Sequence, residues 1–479
     1  MASIKNNFAY NLVLTVSGYI FPLITFPYVS RVLGVSNIGI CNYVDGIIHY
    51  YILFSTLGIA SYGVREIAKN SDDFDKCSQV FSSLFSLNAI LTVAASIILV
   101  ISSYTISSLE SYKPFLLIGL VKLIANLFLT EWFFQGVQLF KYITIRSLVI
   151  RFLYVISLFL FVKKADDVYV YYLLTALVVV VNAVLNWRFS KNYRHFSFKK
   201  LNISLIIWPV LVFGYYRILT SMYTTFNVVY LGSQCGNTEV GFFSTATKLY
   251  SIIMAVFTAF TTIMVPRVSQ MIKQKQITEL QSIADKTFSL LERFSIPIII
   301  FCHFFASQII LLLAGTGYEG AIIPFKIVIF LLLVIGMEQI TIQQFLMAST
   351  SNKSILLVST VGAFVGLSIN LLLTEKLGSI GAAIAWGCSE LSVLLIGLSL
   401  TRRILHIRLA LKPLLINILS AILYVIPLYI ICVFCNNWVS FVVGAVLLIV
   451  CFFLYNFIVY PEQIIIDGFK TIKIWKKFK

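Results

Sequence analysis

Fourteen apolar stretches, each long enough to cross a bilayer, follow one another along this chain of 479 residues. A transmembrane helix needs about 20 apolar residues to cross a hydrocarbon core of roughly 30 Å, and a chain with this many such stretches cannot bury them in a soluble core. The approximate spans are 8–30, 40–62, 80–103, 113–134, 141–162, 168–188, 204–231, 240–265, 288–313, 321–345, 354–373, 379–400, 412–434 and 438–459. The chain is therefore predicted to be a polytopic membrane protein.

The spans are predicted to be helices, which gives an all-α integral membrane fold with 14 transmembrane helices. The residues are 59% hydrophobic and 11% charged, with a mean hydropathy of +0.95. Each run is about twice the length of a barrel strand and lacks strict alternation. The first stretch contains Pro22 and Pro27 and shows no small-residue cleavage site, so we expect no signal peptide. Both prolines, and Pro209 in the seventh helix, are predicted to kink their helices.

The distribution of the 36 Lys and Arg residues predicts the orientation. With a cytoplasmic amino terminus, 25 of them fall in cytoplasmic segments and only five outside, at Arg31, Lys113, Lys163, Lys164 and Lys376. This bias satisfies the positive-inside rule, so both termini are predicted to be cytoplasmic. The net charge of +17 is then a feature of topology and lipid-headgroup contact, and nucleic acid is not an expected partner because no soluble basic domain is visible.

The long cytoplasmic segments divide the chain. We predict a six-helix lobe at 1–188, a basic linker at 189–203, a second six-helix lobe at 204–400, an extra helix pair at 401–459 and a basic tail at 460–479. Leu33-Gly34 followed by Gly39 echoes Leu231-Gly232 followed by Gly241, which makes helices 1 and 2 correspond to helices 7 and 8. The two lobes are therefore predicted to be pseudo-symmetric bundles of a transporter.

Enzymatic classes find little support in the sequence. No phosphate-binding loop, nucleophile elbow or zinc-binding His pair is present, so neither a cofactor nor a metal site is predicted and the protein is not expected to be an enzyme. Cys432 and Cys435 form a CxxC pair within an apolar stretch, without a second pair or a His cluster nearby. We interpret them as small apolar helix residues.

Ionisable residues inside the helices are the candidate functional residues, because each is costly in lipid and should face a partner or an aqueous cavity. The acids are Asp45, Glu131, Glu338 and Glu390. The cations are Lys122, Arg146, Arg151, Arg217, Lys248 and Lys326, with Arg31 at the outer end of the first helix. The cations outnumber the acids, and an interior with excess positive charge suits an anionic cargo, above all a phosphate.

Each residue also has a purely structural interpretation. Lys122 and Lys326 could extend toward headgroups, and Arg146 and Arg151 could hold the cytoplasmic end of their helix. Arg217 lies too deep to reach the surface and is the first candidate for a substrate-binding cation. Lys248 is the second.

Three acidic or titratable residues are candidates for ion or proton coupling. Asp45 and His49 share a helical face and form either a proton-responsive pair or a structural hydrogen bond. Glu131 is the third.

Several segments carry a resemblance to a known family. They are FPYVSRVLG (26–34), GIASYGVREIAK (58–69), EWFFQGVQLFKYITIRS (131–147), VGFFSTATKL (240–249) and MVPRVSQM (264–271). Together they resemble Wzx-type flippases of lipid-linked O-antigen and capsule repeat units, a polysaccharide branch of the multidrug/oligosaccharidyl-lipid/polysaccharide exporter (MOP) superfamily. The resemblance runs essentially end to end, and the last two helices match the family's additional pair.

The resemblance implies a function. Undecaprenyl diphosphate carrying an oligosaccharide would move from the cytoplasmic to the periplasmic leaflet of a bacterial inner membrane by alternating access, for lipopolysaccharide O-antigen or capsule synthesis. Membrane lipids, a polysaccharide polymerase and glycosyltransferases are the other implied partners. Of the candidate residues, only Arg31 matches a recurrent superfamily position.

Two other functions stay open. A multidrug antiporter of the same superfamily would share the architecture, although it usually has 12 helices and an acid in the first-helix cavity, where residues 8–30 have none. A membrane-embedded polymerase or glycosyltransferase would need a large external loop or an acidic metal-binding pair.

Overall fold

The computed structural model describes residues 4–197, 201–349, 352–459 and 461, and within these ranges all regular secondary structure is helical. Of the predicted basic tail, only Pro461 is among them. The α-helices are α1 Ile4–Thr56, α2 Ile59–Lys69, α3 Phe74–Thr105, α4 Lys113–Leu129, α5 Glu131–Gly136, α6 Phe140–Phe161, α7 Val168–Ser190, α8 Ile203–Ser221, α9 Thr225–Cys235, α10 Asn237–Lys273, α11 Ile277–Phe304, α12 Ala306–Leu313, α13 Ile322–Ile329, α14 Leu331–Glu338, α15 Asn352–Leu377, α16 Ser379–Leu405, α17 Leu411–Leu419, α18 Ile422–Phe434 and α19 Asn437–Leu454. Short 3₁₀ turns and two π-helical segments, Gln339–Leu346 and Tyr455–Val459, complete the helices.

The all-α membrane fold is confirmed. Within the described residues, eleven helices are long and apolar enough to cross a membrane, or twelve when the bent pair Glu319–Ile329 and Leu331–Leu346 forms one span. The difference from fourteen has two sources. One span, Ala9–Thr56, covers most of two predicted stretches, 8–30 and 40–62, and its 48 residues at 1.5 Å each would be about 72 Å long if straight. The helix α10, over the predicted eighth stretch, is not among the eleven.

Two long helical segments are interrupted at glycines rather than at prolines. The helix α1 runs through Pro22 and Pro27 and departs from helical geometry at Gly34, with φ 76° and ψ 168°. The next half of the chain repeats this break at Gly236, with φ 83° and ψ −178°, between α9 and α10. Glycine has no Cβ and adopts positive φ readily, which explains the residue type at both breaks.

The predicted internal repeat is therefore visible in the backbone, although its register differs from the sequence echo. Gly34 and Gly236 are 202 positions apart, as are Gly39 and Gly241. The predicted partner of Gly34 was Gly232, which instead lies inside α9. The structural counterpart of Gly34 is thus Gly236, four residues after the predicted Gly232. A local Leu-Gly match in the sequence cannot show which glycine has positive φ.

The two halves meet in a reciprocal contact at these glycines. A Cβ on Gly39 would lie 1.7 Å from the carbonyl oxygen of Asn237, and a Cβ on Gly241 would lie 2.3 Å from the carbonyl oxygen of Val35. Val35 and Asn237 are again 202 positions apart. Because each half presents the same positions to the other, the crossing of α1 and α10 has the character of an isologous, two-fold contact.

Other helices group around these two. The helices α3, α4, α6 and α7 pack against α1, and α11, α13, α14 and α16 pack against α10. The broken helix α8–α9 packs against α15, while α8 also contacts α1, α2 and α3. This arrangement places α8 between the two groups of helices.

The predicted basic linker is ordered along α3 in its described part. The backbone N–H groups of His195, Ser197 and Asn202 donate to the hydroxyls of serines on α3. Arg194 of this linker is 4% exposed, and its guanidinium lies 3.8 Å from the Phe81 ring centroid. Burial there lowers the pKa of Arg194 to about 10.

A buried polar network attaches the C-terminal helices to α11. Asn417 of α17 donates to Glu292 Oε2 at 2.7 Å and accepts from the Tyr455 hydroxyl at 2.7 Å. Arg293 of α11 is 2% exposed and donates to Asn456 Oδ1 at 2.9 Å.

Candidate functional site

Charged groups from both halves of the chain gather along the second part of α1. Asp45 and His49 are both exposed there and lie one helical turn apart on the same face. Lys122 of α4 contacts Asp45, and Lys248 of α10 lies within electrostatic range of it. Arg217 of α8 lies within electrostatic range of His49. The fold therefore brings five of the nine predicted site residues into one region.

Asp45 forms an ion pair that the sequence did not predict. Lys122 donates to Asp45 Oδ1 at 2.7 Å, and the Tyr172 hydroxyl donates to the same oxygen at 2.8 Å. Lys122 Nζ also lies 3.8 Å from the centroid of the Tyr172 ring, a cation–π contact. The carboxylate is thus paired with Lys122 rather than with His49, and the charge of Lys122 is neutralised within the protein.

Arg217 faces a polar cavity of about 240 Å³. The lining combines α1, α2, α3, α4 and α5 of the first half with Arg217 of α8. Its polar residues are Thr56, Asn88, Asn126, Thr130, Glu131, Gln135 and Arg217. Among the described residues, Arg217 makes no ion pair with an acid. A half-buried guanidinium therefore lines a polar cavity with its charge uncompensated by a direct partner.

Glu131 is placed at this cavity by a left-handed turn. Thr130, at φ 42°, ends α4 and begins α5 with Glu131 as its first residue. Arg146 of α6 donates to Glu131 Oε1 at 2.6 Å and also to Asn186 Oδ1. Arg146 is 6% exposed, whereas the Glu131 side chain keeps 42% of its surface. The carboxylate is therefore shared between a buried arginine and the cavity.

Two of the predicted cations bind backbone carbonyls instead of facing this region. Arg151 donates to the carbonyl of Leu14 at 3.1 Å and to the Ser17 hydroxyl, which ties α6 to α1. Arg31 donates to the carbonyl of Pro27 in its own helix at 2.9 Å and to the carbonyl of Leu312 in α12, which ties α1 to α12. Both arrangements are those of structural arginines that satisfy helix carbonyls.

Lys248 has no acid in direct contact either. Its Nζ lies 4.8 Å from the centroid of the Phe26 ring, and no ion pair to it occurs in the described part of the chain. In the described part of the chain, three of the predicted cations make no salt bridge and donate to no backbone carbonyl, namely Arg217, Lys248 and Lys326. Of these, Arg217 and Lys248 lie in this region, and they were also the first two candidates from the sequence.

The sequence analysis missed the neutral part of the site. Asn88, Asn126 and Gln135 line the cavity, and Tyr172 holds Asp45. The only available signal was their polarity within apolar stretches, which many satisfied helix residues share. Neutral amides that line a cavity can donate to and accept from hydroxyl-rich ligands, so the lining suits a polar, uncharged group beside an anion.

A sequence profile described as polysaccharide biosynthesis protein matches residues 4–272. A protein of Escherichia coli (strain K12) provisionally described as an O-antigen transporter is 24% identical over 393 residues, which cover 81% of this chain and 94% of that protein. A Shigella dysenteriae protein with the same description is 23% identical over 264 residues, 53% of this chain and 65% of that protein.

Solved structures share the fold. The lipid II flippase MurJ in an inward closed conformation superposes with a TM-score of 0.76 at 13% identity, covering 95% of this chain and 99% of that one. An inward-facing multidrug resistance MATE family transporter of the MOP superfamily superposes with a TM-score of 0.65 at 15% identity, covering 84% and 94%. The helical architecture is therefore that of MOP superfamily transporters.

Proposed function

Because the chain belongs to the polysaccharide biosynthesis protein family, we propose that it is a flippase for undecaprenyl-diphosphate-linked oligosaccharide repeat units. It moves them from the cytoplasmic to the periplasmic leaflet of a bacterial inner membrane, for O-antigen or capsule assembly. The two relatives described as O-antigen transporters and the fold shared with a lipid II flippase support this substrate class. Glycosyltransferases would act before this step, and a polymerase would act after it.

The observation that carries the proposal is the uncompensated charge of Arg217 in a polar cavity. A diphosphate that joins a lipid to a sugar carries two negative charges, and a guanidinium binds phosphate oxygens through two parallel hydrogen bonds. The amides beside Arg217 are suited to sugar hydroxyls. At about 240 Å³ the cavity is smaller than the 300–1,000 Å³ of typical ligand pockets, so the head group enters only after the helices separate further.

We further propose fourteen transmembrane helices with both termini in the cytoplasm. The lobes are residues 1–188 and 204–400, joined by the linker 189–203, and the helix pair 401–459 and the tail 460–479 follow them. In this orientation the Gly39–Gly241 contact seals the periplasmic side, and the cavity, lined by residues 56–60 and 130–135 at the opposite helix ends, opens toward the cytoplasm. Alternating access then consists of separating the helices at the two glycines while the lobes close around the inner side.

The transport cycle follows from these contacts. The diphosphate pairs with Arg217 from the cytoplasmic side while the polyprenyl chain stays in lipid. Opening of the α1–α10 crossing exposes Lys248 and Asp45 to the periplasmic side, and the anion moves from Arg217 toward Lys248. Release follows when water rehydrates the diphosphate, because exposed ion pairs are weak.

The first test substitutes Arg217 in a strain that depends on this protein for one surface glycan. Arg217→Ala should abolish surface glycan and leave the lipid-linked unit on the cytoplasmic face. Arg217→Lys should keep part of the transport, because a point charge attracts a diphosphate without binding it bidentately. The matched control is Arg402→Ala, at an exposed position near the end of α16.

The amount of folded protein separates binding from a structural role. Arg217 makes no ion pair among the described residues, so Arg217→Ala should be inserted and folded at the level of Arg402→Ala. Wild-type glycan export from a well-folded Arg217→Ala protein would remove Arg217 from the site. Loss of drug efflux without loss of the glycan in a deletion strain would favour the multidrug antiporter instead.

A further inference from the structure

Two acids lie close together in the second half of the molecule, where Glu390 is buried and Glu338 is half-buried. Glu338 ends α14 and Glu390 lies in α16, and their carboxyl groups lie within hydrogen-bonding range of each other. Trp386 donates its indole N–H to Glu390 Oε1 at 2.7 Å, and Glu390 is 5% exposed. No Lys or Arg in the described ranges forms an ion pair with either acid.

A second, independent group points at the same place. Tyr250 of α10 is 4% exposed, and its hydroxyl has no hydrogen-bond partner among the described residues. The Tyr250 ring packs edge-on against Trp386, with centroids 5.4 Å apart, and its hydroxyl is within electrostatic range of both carboxyl groups. Glu338 Oε2 is likewise buried and accepts no hydrogen bond from a donor in the described residues. Buried polar atoms are nearly always hydrogen-bonded, so a hydroxyl and a carboxyl oxygen beside this acid pair lack the donor that such groups usually have.

Two carboxyl groups can share a hydrogen bond only when one of them carries a proton. Carboxylates this close cannot both be ionised unless a cation compensates them. Within the part of the chain that the structure describes, the other titratable groups that face the pair are tyrosines, namely Tyr216 of α8, Tyr223 in the turn after α8, and Tyr250. Tyrosine hydroxyls are neutral near pH 7, so they supply hydrogen bonds and no counter-charge.

We propose that Glu338 and Glu390 form a proton-binding site whose occupancy is coupled to transport. Glu390 is fixed by Trp386, whereas Glu338 is only partly buried and has the unsatisfied oxygen, so Glu338 is the exchanging group. The step is a proton transfer with water: the O–H bond of the Glu338 carboxyl breaks, the proton leaves as hydronium, and the net charge of the pair changes by one. The Tyr250 hydroxyl is a donor available to the resulting carboxylate, because it has no other partner among the described residues.

The helix α8 connects this site to the cationic cavity. Tyr216 lies within electrostatic range of Glu338 and Glu390, and the next residue, Arg217, lines the cavity. A change of charge at the acid pair therefore acts on the helix that holds the diphosphate-binding cation. The proton site itself stands on the acid pair alone, and only its coupling rests on the proposed flippase function.

The binding of the proton is tested on the purified full-length protein without any substrate. Infrared difference spectra of protein in phosphatidylethanolamine–phosphatidylglycerol vesicles, recorded as pH is stepped, should show one protonated-carboxyl band that disappears as the pH is raised. Glu338→Gln and Glu390→Gln should each lose the band, Glu338→Asp should retain a shifted one, and the exposed control Glu279→Gln should keep the wild-type spectrum. Absence of a titrating band in the wild type, or its removal by sodium chloride at constant pH, would overturn the proposal.

The coupling is tested by transport. Proteoliposomes loaded with the lipid-linked repeat unit of the host strain should flip it faster when a pH gradient is imposed, and Glu338→Gln should lose the gradient-dependent part. If Glu338→Gln keeps the full response, the coupling is wrong while the flippase function stands. If the band titrates as expected but no lipid-linked unit moves in any variant, the proton site stands and the flippase function fails.

Discussion

The reciprocal glycine contact gives a quantitative prediction about the transport cycle. In Gly39→Ala the new Cβ would lie 1.7 Å from the Asn237 carbonyl oxygen, whereas real Cβ contacts do not fall below 3.0 Å. The two backbones must therefore move apart by at least about 1.3 Å, and neither atom belongs to a flexible side chain. Overpacking of this kind costs about 1 to 3 kcal/mol in the closed state, and that free energy shifts a two-state equilibrium roughly 5- to 150-fold toward the open state.

A native cysteine reports the shift. Cys41 is 4% exposed and lies two residues after Gly39, so it should be protected from a membrane-impermeant maleimide while α1 and α10 are crossed. In a variant that keeps Cys41 as its sole cysteine, Gly39→Ala should raise the labelling rate from the periplasmic side by the factor above. Gly241→Ala should act in the same direction, because its Cβ would lie 2.3 Å from the Val35 carbonyl oxygen.

The control is another glycine of α1. A Cβ on Gly18 would lie 3.8 Å from Arg151, an ordinary contact, so Gly18→Ala should leave Cys41 protected. Surface glycan should fall in Gly39→Ala and stay normal in Gly18→Ala. Wild-type protection of Cys41 together with normal export in Gly39→Ala would refute the role of this crossing as the outer closure.

Three further predictions concern topology, the buried ion pair and the C-terminal helices. Cysteine labelling in spheroplasts should place Asn437 outside and Lys275 inside, and a periplasmic Lys275 would contradict the predicted orientation. Asp45→Asn should lower the free energy of unfolding of the detergent-solubilised protein by up to about 3 kcal/mol, because it leaves the 8%-exposed Lys122 side chain unpaired. Lys122→Met should lower it by about 1 kcal/mol or less, because the Asp45 side chain is 48% exposed. Equal losses in the two variants would show that the pair is not buried asymmetrically. Asn417→Ala leaves two buried polar groups without their partner, at about 1 to 3 kcal/mol each, and hydrogen exchange should increase in α18 and α19 but not in α3; unchanged exchange would mean that the network does not anchor these helices.

The sequence alone was sufficient for the class of protein and for its inventory of charges. Burial of apolar surface is a property that adds up residue by residue, so runs of about 20 apolar residues identify membrane helices before any contact is known. The same holds for Arg217, since an arginine deep in an apolar run must face protein or water wherever the helix lies. The resemblance at EWFFQG and the following basic segment led to the family that the sequence profile supports.

The tertiary structure decided which charges remain available. Lys122 and Asp45 are 77 residues apart, and nothing local distinguishes their pairing from the i, i+4 pairing of Asp45 with His49. The pairing of Glu338 with Glu390, and the assignment of Gly236 rather than Gly232 as the counterpart of Gly34, were equally hidden. Hydrophobicity is read along one helix, whereas a salt bridge or a close glycine crossing depends on the rotation and depth of two helices relative to each other, and only packing fixes these.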